Sequence, residues 1–380
     1  MQTNQSNYER LYRKYKIKYQ TLKMEASGGA VTSLLYHHIG LTKYDFKLTK
    51  FLDIPETTNI IPYNNTFLLS TKNGTIVQYK PATQERAILI DLKDKKTFLF
   101  RGLEEGLLGL AAYNDDIFIC YTAIPNEHEN NETSNYAMVL IVDKLVFKPD
   151  EKVLVNTETI IRIPFETNYH HGGTLQFTKE GLLLLSTGDG GPQGDPKNKG
   201  QDTTTLQGKF ISIDVQTKET KIIASGLRNV WRFSIDSMGR IWLADVGYNS
   251  SESIKLITNV DKKHNFGWSY FEGSKQMKPG KKLKEFDQPI FEYPTSNEEG
   301  RAVLGGYFIG SMNAYIFADF LGYIKALSYN PKKDIWEQTA FQKIDEKIYS
   351  LGIDGDNLFI LGEKSVYRCY IMEILKTESK

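Results

Sequence analysis

Tyr169-His170-His171-Gly172-Gly173-Thr174-Leu175, followed by Gly188-Asp189-Gly190-Gly191, is where this chain concentrates residues able to do chemistry. An imidazole titrates near neutral pH and can both take and return a proton. A carboxylate at a strand end can orient it, and the glycines permit the tight backbone that would bring the two together at one rim. The pattern points to a general base with an acid behind it. A plainer reading also fits, in which His-Gly-Gly is a polar turn and Gly-Asp-Gly-Gly a hairpin connection.

These residues need a scaffold. From about residue 50 the apolar pattern alternates, and six segments share one form: a turn, then a short apolar strand ending in a small or acidic residue. They are residues 65–72, 115–122, 181–187, 240–245, 314–319 and 357–362. Their centres lie roughly 40–75 residues apart, which matches one four-stranded sheet with its loops, so the chain is expected to be all-β, a six-bladed β-propeller over residues 46–370 with a polar tail at 371–380. Two packed β-sheets would use the same strands but leave unexplained the turns Lys179-Glu180-Gly181, Ser237-Met238-Gly239 and Asp354-Gly355-Asp356 before comparable strands. A propeller gathers its ligands where loops converge on one face of the central channel, so the chemistry is sought in loops.

Residues 1–45 depart from this pattern. Tyr8, Leu11, Tyr12, Tyr15, Tyr19 and Leu22 recur at helical spacing, with Arg10, Arg13, Lys14, Lys16, Lys18 and Lys23 between them, predicting a short basic amphipathic helix and a linker. Such a helix docks on anionic lipid or nucleic acid, or is a solvated appendage. It looks like the N-terminal helices common among proteins of giant DNA viruses, which places the expected location in a virion or the host-cell cytoplasm. No base-stacking or groove-reading element accompanies it, so no specific nucleic-acid readout is expected. The 47 basic and 46 acidic residues create no global field. Cys120 and Cys369 form no CxxC and are expected in the core. No apolar run approaches the roughly 20 residues that span a bilayer, and no apolar signal core opens the chain, so neither a transmembrane segment nor secretion is expected. Nothing obliges a particular oligomeric state.

Four clusters, in order, carry a resemblance. They are Glu104-Glu105-Gly106-Leu107-Leu108-Gly109-Leu110-Ala111; His170-His171-Gly172-Gly173-Thr174-Leu175 with Gly188-Asp189-Gly190-Gly191 and Asp195-Pro196; Gly226-Leu227-Arg228-Asn229-Val230-Trp231-Arg232-Phe233 with Asp245-Val246-Gly247; and Asn265-Phe266-Gly267-Trp268-Ser269-Tyr270-Phe271-Glu272-Gly273 with Tyr293-Pro294 and Gly305-Gly306-Tyr307. Together they resemble the soluble PQQ-dependent glucose and aldose sugar dehydrogenases, the sorbosone dehydrogenase-like family.

The resemblance implies an oxidoreductase acting on an aldose or related sugar alcohol group, with PQQ and Ca²⁺ as cofactors. His170 then inherits the role of base toward the sugar C1 hydroxyl while hydride passes to the quinone, with Glu104 and Asp189 beside it. Arg228 and Asn229 match the family's cofactor-contacting pair, Tyr293 and Thr295 its aromatic-Pro-Thr segment on the cofactor, and Lys347 is a further candidate cation. The carbonyls of Gly247 and Tyr248 and the carboxylate of Glu252 match the metal-binding positions. Two positions depart from the family: Ser253 stands where a second acid is usual, and Ile309 where relatives often carry arginine. Arg232 is expected to join blades, and Trp231, Trp242 and Trp268 to sit in the core. The competing expectation is a non-catalytic propeller that binds a glycan or protein partner, as a virion component.

Overall fold

Six mainly antiparallel sheets follow one another along the chain, most of their strands consecutive, and among the described residues a two-strand ribbon, Phe271–Glu272 with Lys275–Gln276, and three short 3-10 turns lie beside them. The computed structural model describes residues 36–38, 43–101, 104–129 and 136–373. The basic segment at 8–23 and most of the C-terminal tail lie outside the described residues.

Blade 1 runs Thr57–Tyr63, Thr66–Thr71, Thr75–Lys80 and Glu85–Asp91, and blade 2 runs Leu107–Tyr113, Asp116–Ala123, Met138–Lys148 and Val153–Phe165. Blade 3 is Leu175–Phe177, Leu183–Ser186, Phe210–Ile213 and Thr220–Ser225, edged in parallel by His264–Asn265. Blade 4 is Val230–Ile235, Ile241–Asp245, Ser251–Ile257 and Phe291–Pro294, and blade 5 is Val303–Ile309, Ala314–Asp319, Tyr323–Asn330 and Ile335–Ile344. Blade 6 takes three strands from the end of the chain, Ile348–Asp354, Asn357–Gly362 and Val366–Glu373, and its fourth, Tyr44–Leu52, from near the beginning. That pairing runs from Tyr44 opposite Glu373 to Leu52 opposite Val366, so backbone hydrogen bonds fasten the ring where it would otherwise open. The inner strands of successive blades neighbour one another, with Leu183–Ser186 of blade 3 meeting Val230–Ile235 of blade 4, and Ile348–Asp354 packs on Thr57–Tyr63 to complete the circle.

The six apolar segments of the sequence are the second strands of the six blades. They read as continuous apolar runs because both of their faces are covered by neighbouring blades: Leu183–Ser186 and Ile241–Asp245 are buried at every position. Cys120 and Cys369 are buried and unpaired in this interior. Among the described residues, no helix is long and apolar enough to cross a membrane.

Antiparallel order fixes which loops share a face. The entry into each innermost strand and the link between second and third strands lie on the same side, because the chain reverses once between them. Glu104, His170, Arg228, Asn229 and Lys347 are entry residues, and Asp189, Gly247 and Tyr248 lie in second-to-third links, so all belong to one rim. Ile309 does not. It ends the innermost strand Val303–Ile309, roughly 20 Å from that rim at about 3.3 Å per residue, so an arginine at this position would stand on the opposite face.

Arg232 crosses the central channel from the inner strand of blade 4. Its Nε donates to Ser350 Oγ of blade 6 (2.9 Å), its Nη1 to Thr174 Oγ1 beside blade 3 (2.8 Å) and its Nη2 to the Thr58 carbonyl of blade 1 (3.0 Å). Burial without an acid partner brings its pKa down to about 10. Gly305 of blade 5 has φ +93° and a Cβ there would lie 3.0 Å from Arg232 Cβ, so the blade needs a glycine to let this side chain through. The expected blade-joining role of Arg232 is what the structure has, made with carbonyl and hydroxyl oxygens.

Candidate active site

His170 is 4 % exposed and holds a left-handed backbone, φ +54°. That conformation is uncommon for a residue with a Cβ and needs external support. The support comes from two loops: its N–H donates to Glu104 Oε2 (2.6 Å), and its carbonyl accepts from Gly190 N (3.2 Å). The glycines expected to permit a close approach do so. A Cβ on Gly188 would lie 2.0 Å from the His170 carbonyl oxygen.

The imidazole lies between an acid and a cation. Nδ1 is 2.7 Å from Asp189 Oδ1, and Nε2 is 3.1 Å from Arg228 Nη2. A guanidinium only donates and an ionised carboxylate only accepts, so the network assigns the neutral tautomer with hydrogen on Nδ1 and the lone pair on Nε2. Asp189 is fully buried and also accepts from Gly191 N (2.9 Å) and from the indole Nε1 of Trp268 (2.8 Å). Each of its oxygens therefore has a donor, which fixes the buried carboxyl group in one orientation. The plainer reading of these motifs as turns explains none of these side-chain bonds.

Arg228 and Asn229 are aimed by Asp245, which ends the second strand of blade 4. Its Oδ1 accepts both their backbone N–H groups (3.1 and 2.7 Å), and its Oδ2 pairs with the buried ammonium of Lys255 at 2.8 Å. The Asn229 side chain is committed to the rim itself, accepting from Gly172 N (3.1 Å) and donating toward Glu104 Oε2 (3.5 Å). The Arg228 guanidinium donates to Gln193 Oε1 (2.9 Å) and the Val246 carbonyl (3.1 Å) as well as to His170, and lies 5.6 Å from the ring centroids of both Tyr248 and Trp268. Among the described residues no carboxylate pairs with it, and its buried Nε has no partner.

Trp268, expected in the core, is instead part of this group. His264–Asn265 adds to the edge of blade 3, and Trp268 N then bonds the Gly226 carbonyl (3.0 Å), which delivers the indole to Asp189. Trp242 does sit in the core, stacked on Tyr315 at 4.3 Å, and half-buried Trp231 reaches across to the Tyr349 carbonyl (3.1 Å). Gln193 was not visible as a site residue in the sequence. Asp195 folds its loop by accepting from Lys199 N (2.8 Å) and Gly200 N (3.0 Å), while the buried Lys209 ammonium binds three loop carbonyls. The Asp-Pro after Gly-Asp-Gly-Gly was the one hint of that order. His171 faces inward against Phe165, and burial lowers its pKa to about 4, so it stays neutral and takes no part in the proton path.

Other residues named from the resemblance lie elsewhere on the rim. Tyr293 is 3 % exposed in the blade 4–5 core, with its hydroxyl on Asp319 (2.7 Å) and the Lys325 ammonium 3.4 Å from its ring centroid; burial pushes the Asp319 carboxyl up to about 6. Lys347 is half exposed and paired with Glu363 at 3.4 Å. Glu252 is 1 % exposed and spends both oxygens on four donors: Gly247 N, Val303 N, Ala302 N and the Thr295 hydroxyl, at 3.0–3.1 Å. Ser253 Oγ receives the Lys255 ammonium (2.7 Å). Among the described residues no three His, Cys, Asp or Glu side chains come together as a metal site. This donor set does not fit a calcium held by Glu252; the carbonyls of Gly247 and Tyr248 are what remains of the expected ligands.

The family model described as glucose/sorbosone dehydrogenase matches residues 52–348. Among solved structures, the PQQ-bound aldose sugar dehydrogenase of Streptomyces coelicolor superposes with a TM-score of 0.68 at 17 % identity, covering 87 % of this chain and 99 % of that one. A putative oxidoreductase (glucose dehydrogenase) of Thermus thermophilus gives 0.65 at 16 % identity over 86 % and 100 %. The HIPL1 protein of Arabidopsis thaliana is 29 % identical over 209 residues, which is 42 % of this chain and 29 % of that protein. The match thus spans under a third of the plant relative's length.

Proposed function

The chain belongs to the glucose/sorbosone dehydrogenase family, and from that premise we propose that it oxidises the C1 hydroxyl of an aldose or a related sugar alcohol group with PQQ as the electron acceptor and His170 as the base. The observation that carries this reading is the His170–Asp189 pair at 2.7 Å with its lone pair turned toward Arg228 at the rim. A base of this kind needs a neutral imidazole, a fixed tautomer and a carboxylate that stabilises the imidazolium once formed, and Asp189 supplies the last two.

PQQ is a planar tricarboxylate, and the residues present fit such a group. Arg228 is a buried guanidinium with only neutral partners and one orphaned N–H, a donor set suited to a carboxylate, and the rings of Tyr248 and Trp268 lie together beside it. When bound, PQQ would take up the hydride that leaves C1. This chain's own work is the proton: as the C1–H electron pair departs and the C1–O bond becomes a carbonyl, the hydroxyl proton passes to His170 Nε2, and the sugar leaves as a lactone. Glu104, holding the His170 backbone through one oxygen, keeps the base at the height of the rim.

The test is calorimetric titration of the full chain with PQQ, beside a dye-reduction assay over a panel of aldoses. Micromolar binding with dye reduction that is lost in His170→Ala supports the dehydrogenase. Binding of glycans without turnover, and no heat from PQQ, replaces it with a propeller used only for binding.

A further inference from the structure

We propose that Gln193 is a positioning residue that holds Arg228 over the base, so that His170 becomes able to accept a proton only after a carboxylate ligand has drawn the guanidinium away. The proposal rests on the reading of His170 as the base. A neutral imidazole has one lone pair, and here it is on Nε2 because Nδ1–H is given to Asp189. That lone pair already receives Arg228 Nη2 at 3.1 Å. A sugar hydroxyl therefore has no acceptor on His170 while Arg228 stays in place.

Arg228 stays because Gln193 Oε1 binds the same Nη2 at 2.9 Å and the Val246 carbonyl binds Nη1 at 3.1 Å. All three acceptors are neutral, and Nε–H, buried, has none. A ligand carboxylate offers two charged oxygens in the geometry of the guanidinium fork, and charge-assisted bonds of this kind are about twice as strong as neutral ones. It would take Nε and an Nη, and the guanidinium would leave His170 and Gln193 to meet it. The Tyr248 and Trp268 rings, edge to face with each other at 6.1 Å, lie on one side of the guanidinium, each 5.6 Å away, and leave its other side to the ligand. The order of events follows: the anionic ligand binds first, and the sugar finds a competent base afterwards.

Gln193 is exposed on its loop, so its variants test the hold without disturbing the core. The full chain, labelled with ¹⁵N-histidine, is titrated separately with PQQ and with citrate, a tricarboxylate that has no quinone. The His170 Nε2 resonance is expected to shift from the hydrogen-bonded acceptor position toward that of a free lone pair on saturation with either probe. Gln193→Ala, which removes one bond the ligand must break, binds each probe roughly three- to tenfold tighter, and Gln193→Glu, which pairs Arg228 with a resident anion, binds each at least about tenfold weaker. A side chain that merely shapes the loop would not move affinity in opposite directions in the two variants. If PQQ fails to bind but citrate shifts Nε2 and the variants keep this order, the hold stands and the cofactor reading falls. Binding by either probe that leaves Nε2 unmoved, variants that both weaken binding or leave it unchanged, or no binding of either probe overturns the proposal.

Discussion

Asp189→Asn should disable the site with little change of shape, and the hydrogen-bond directions say why. Asp189 receives three donors: His170 Nδ1 and Gly191 N on Oδ1, and Trp268 Nε1 on Oδ2. An asparagine has one oxygen to offer and must turn its NH₂ toward the remaining donors. If the oxygen faces His170, the NH₂ meets the indole N–H; if it faces Trp268, the NH₂ meets Gly191 N–H and His170 Nδ1, which can then only accept. The second arrangement puts hydrogen on Nε2, directly against the Arg228 guanidinium at 3.1 Å. Either way a buried donor loses its acceptor, at a cost of about 1–3 kcal/mol, which lowers Tm by roughly 2–5 °C in a domain of this size. Loss of the carboxylate that stabilises the imidazolium, and in the second arrangement of the Nε2 lone pair itself, should lower kcat by about 10²–10⁴-fold. The tautomer can be read directly by long-range ¹H–¹⁵N spectra, since the chain has only six histidines and His170→Ala identifies the signal. An Asp189→Asn protein that keeps the Nδ1–H tautomer, the wild-type Tm and the wild-type turnover would refute the argument.

Two further outcomes follow from buried groups elsewhere. Burial holds His171 at about 4 in the folded chain, below its ordinary 6.5, so the unfolded chain binds the extra proton between these values and wild-type stability falls as pH drops through that window; Asp319, raised to about 6, acts in the opposite sense and masks part of it. His171→Asn should therefore gain on the wild type by up to about 1.4 kcal/mol per pH unit below 6.5, measured by denaturant melts at pH 7.5 and 5. Glu252→Gln places an NH₂ against backbone donors from the blade 4–5 connection and should lower Tm, by about 2–4 kcal/mol of stability, equally with and without a chelator; a loss seen only in calcium-loaded protein would instead make Glu252 a metal ligand.

The fold was legible because the six second strands are covered on both faces, and that burial writes itself as apolar runs at a repeating interval. Closure by Tyr44–Leu52 was not, since a strand borrowed from the far end of the chain leaves no periodic trace. At the site, spacing showed which residues leave their strands on the same side but not how far each loop leans inward. Tyr293 lies near the end of the outermost strand of blade 4 and packs into the core, and Lys347 finds Glu363 on blade 6, although both were expected at the cofactor. Trp268 and Gln193 come in from loops whose paths depend on Asn265, Asp195 and Lys209, polar residues whose partners are set only by the folded chain. The prediction that Ile309 marks a missing cation failed for a simpler reason: register places it at the wrong end of its strand.

The two glycine-rich motifs are best understood as a single device. The left-handed backbone at His170 costs on the order of 1 kcal/mol or more, and it is what turns the imidazole inward while its N–H and carbonyl face different loops. With the carbonyl directed at the second motif, any side chain at 188 would meet it at 2.0 Å. Gly172 is under the same constraint from the other side: its φ is +67°, and a Cβ would lie 2.6 Å from the Ser186 carbonyl oxygen. Relieving either contact would need backbone movement of about an ångström, and a 2.7 Å bond between His170 and Asp189 does not survive such a shift. The glycines of the first motif therefore hold the second in place as much as they shape their own turn, and the base owes its orientation to both.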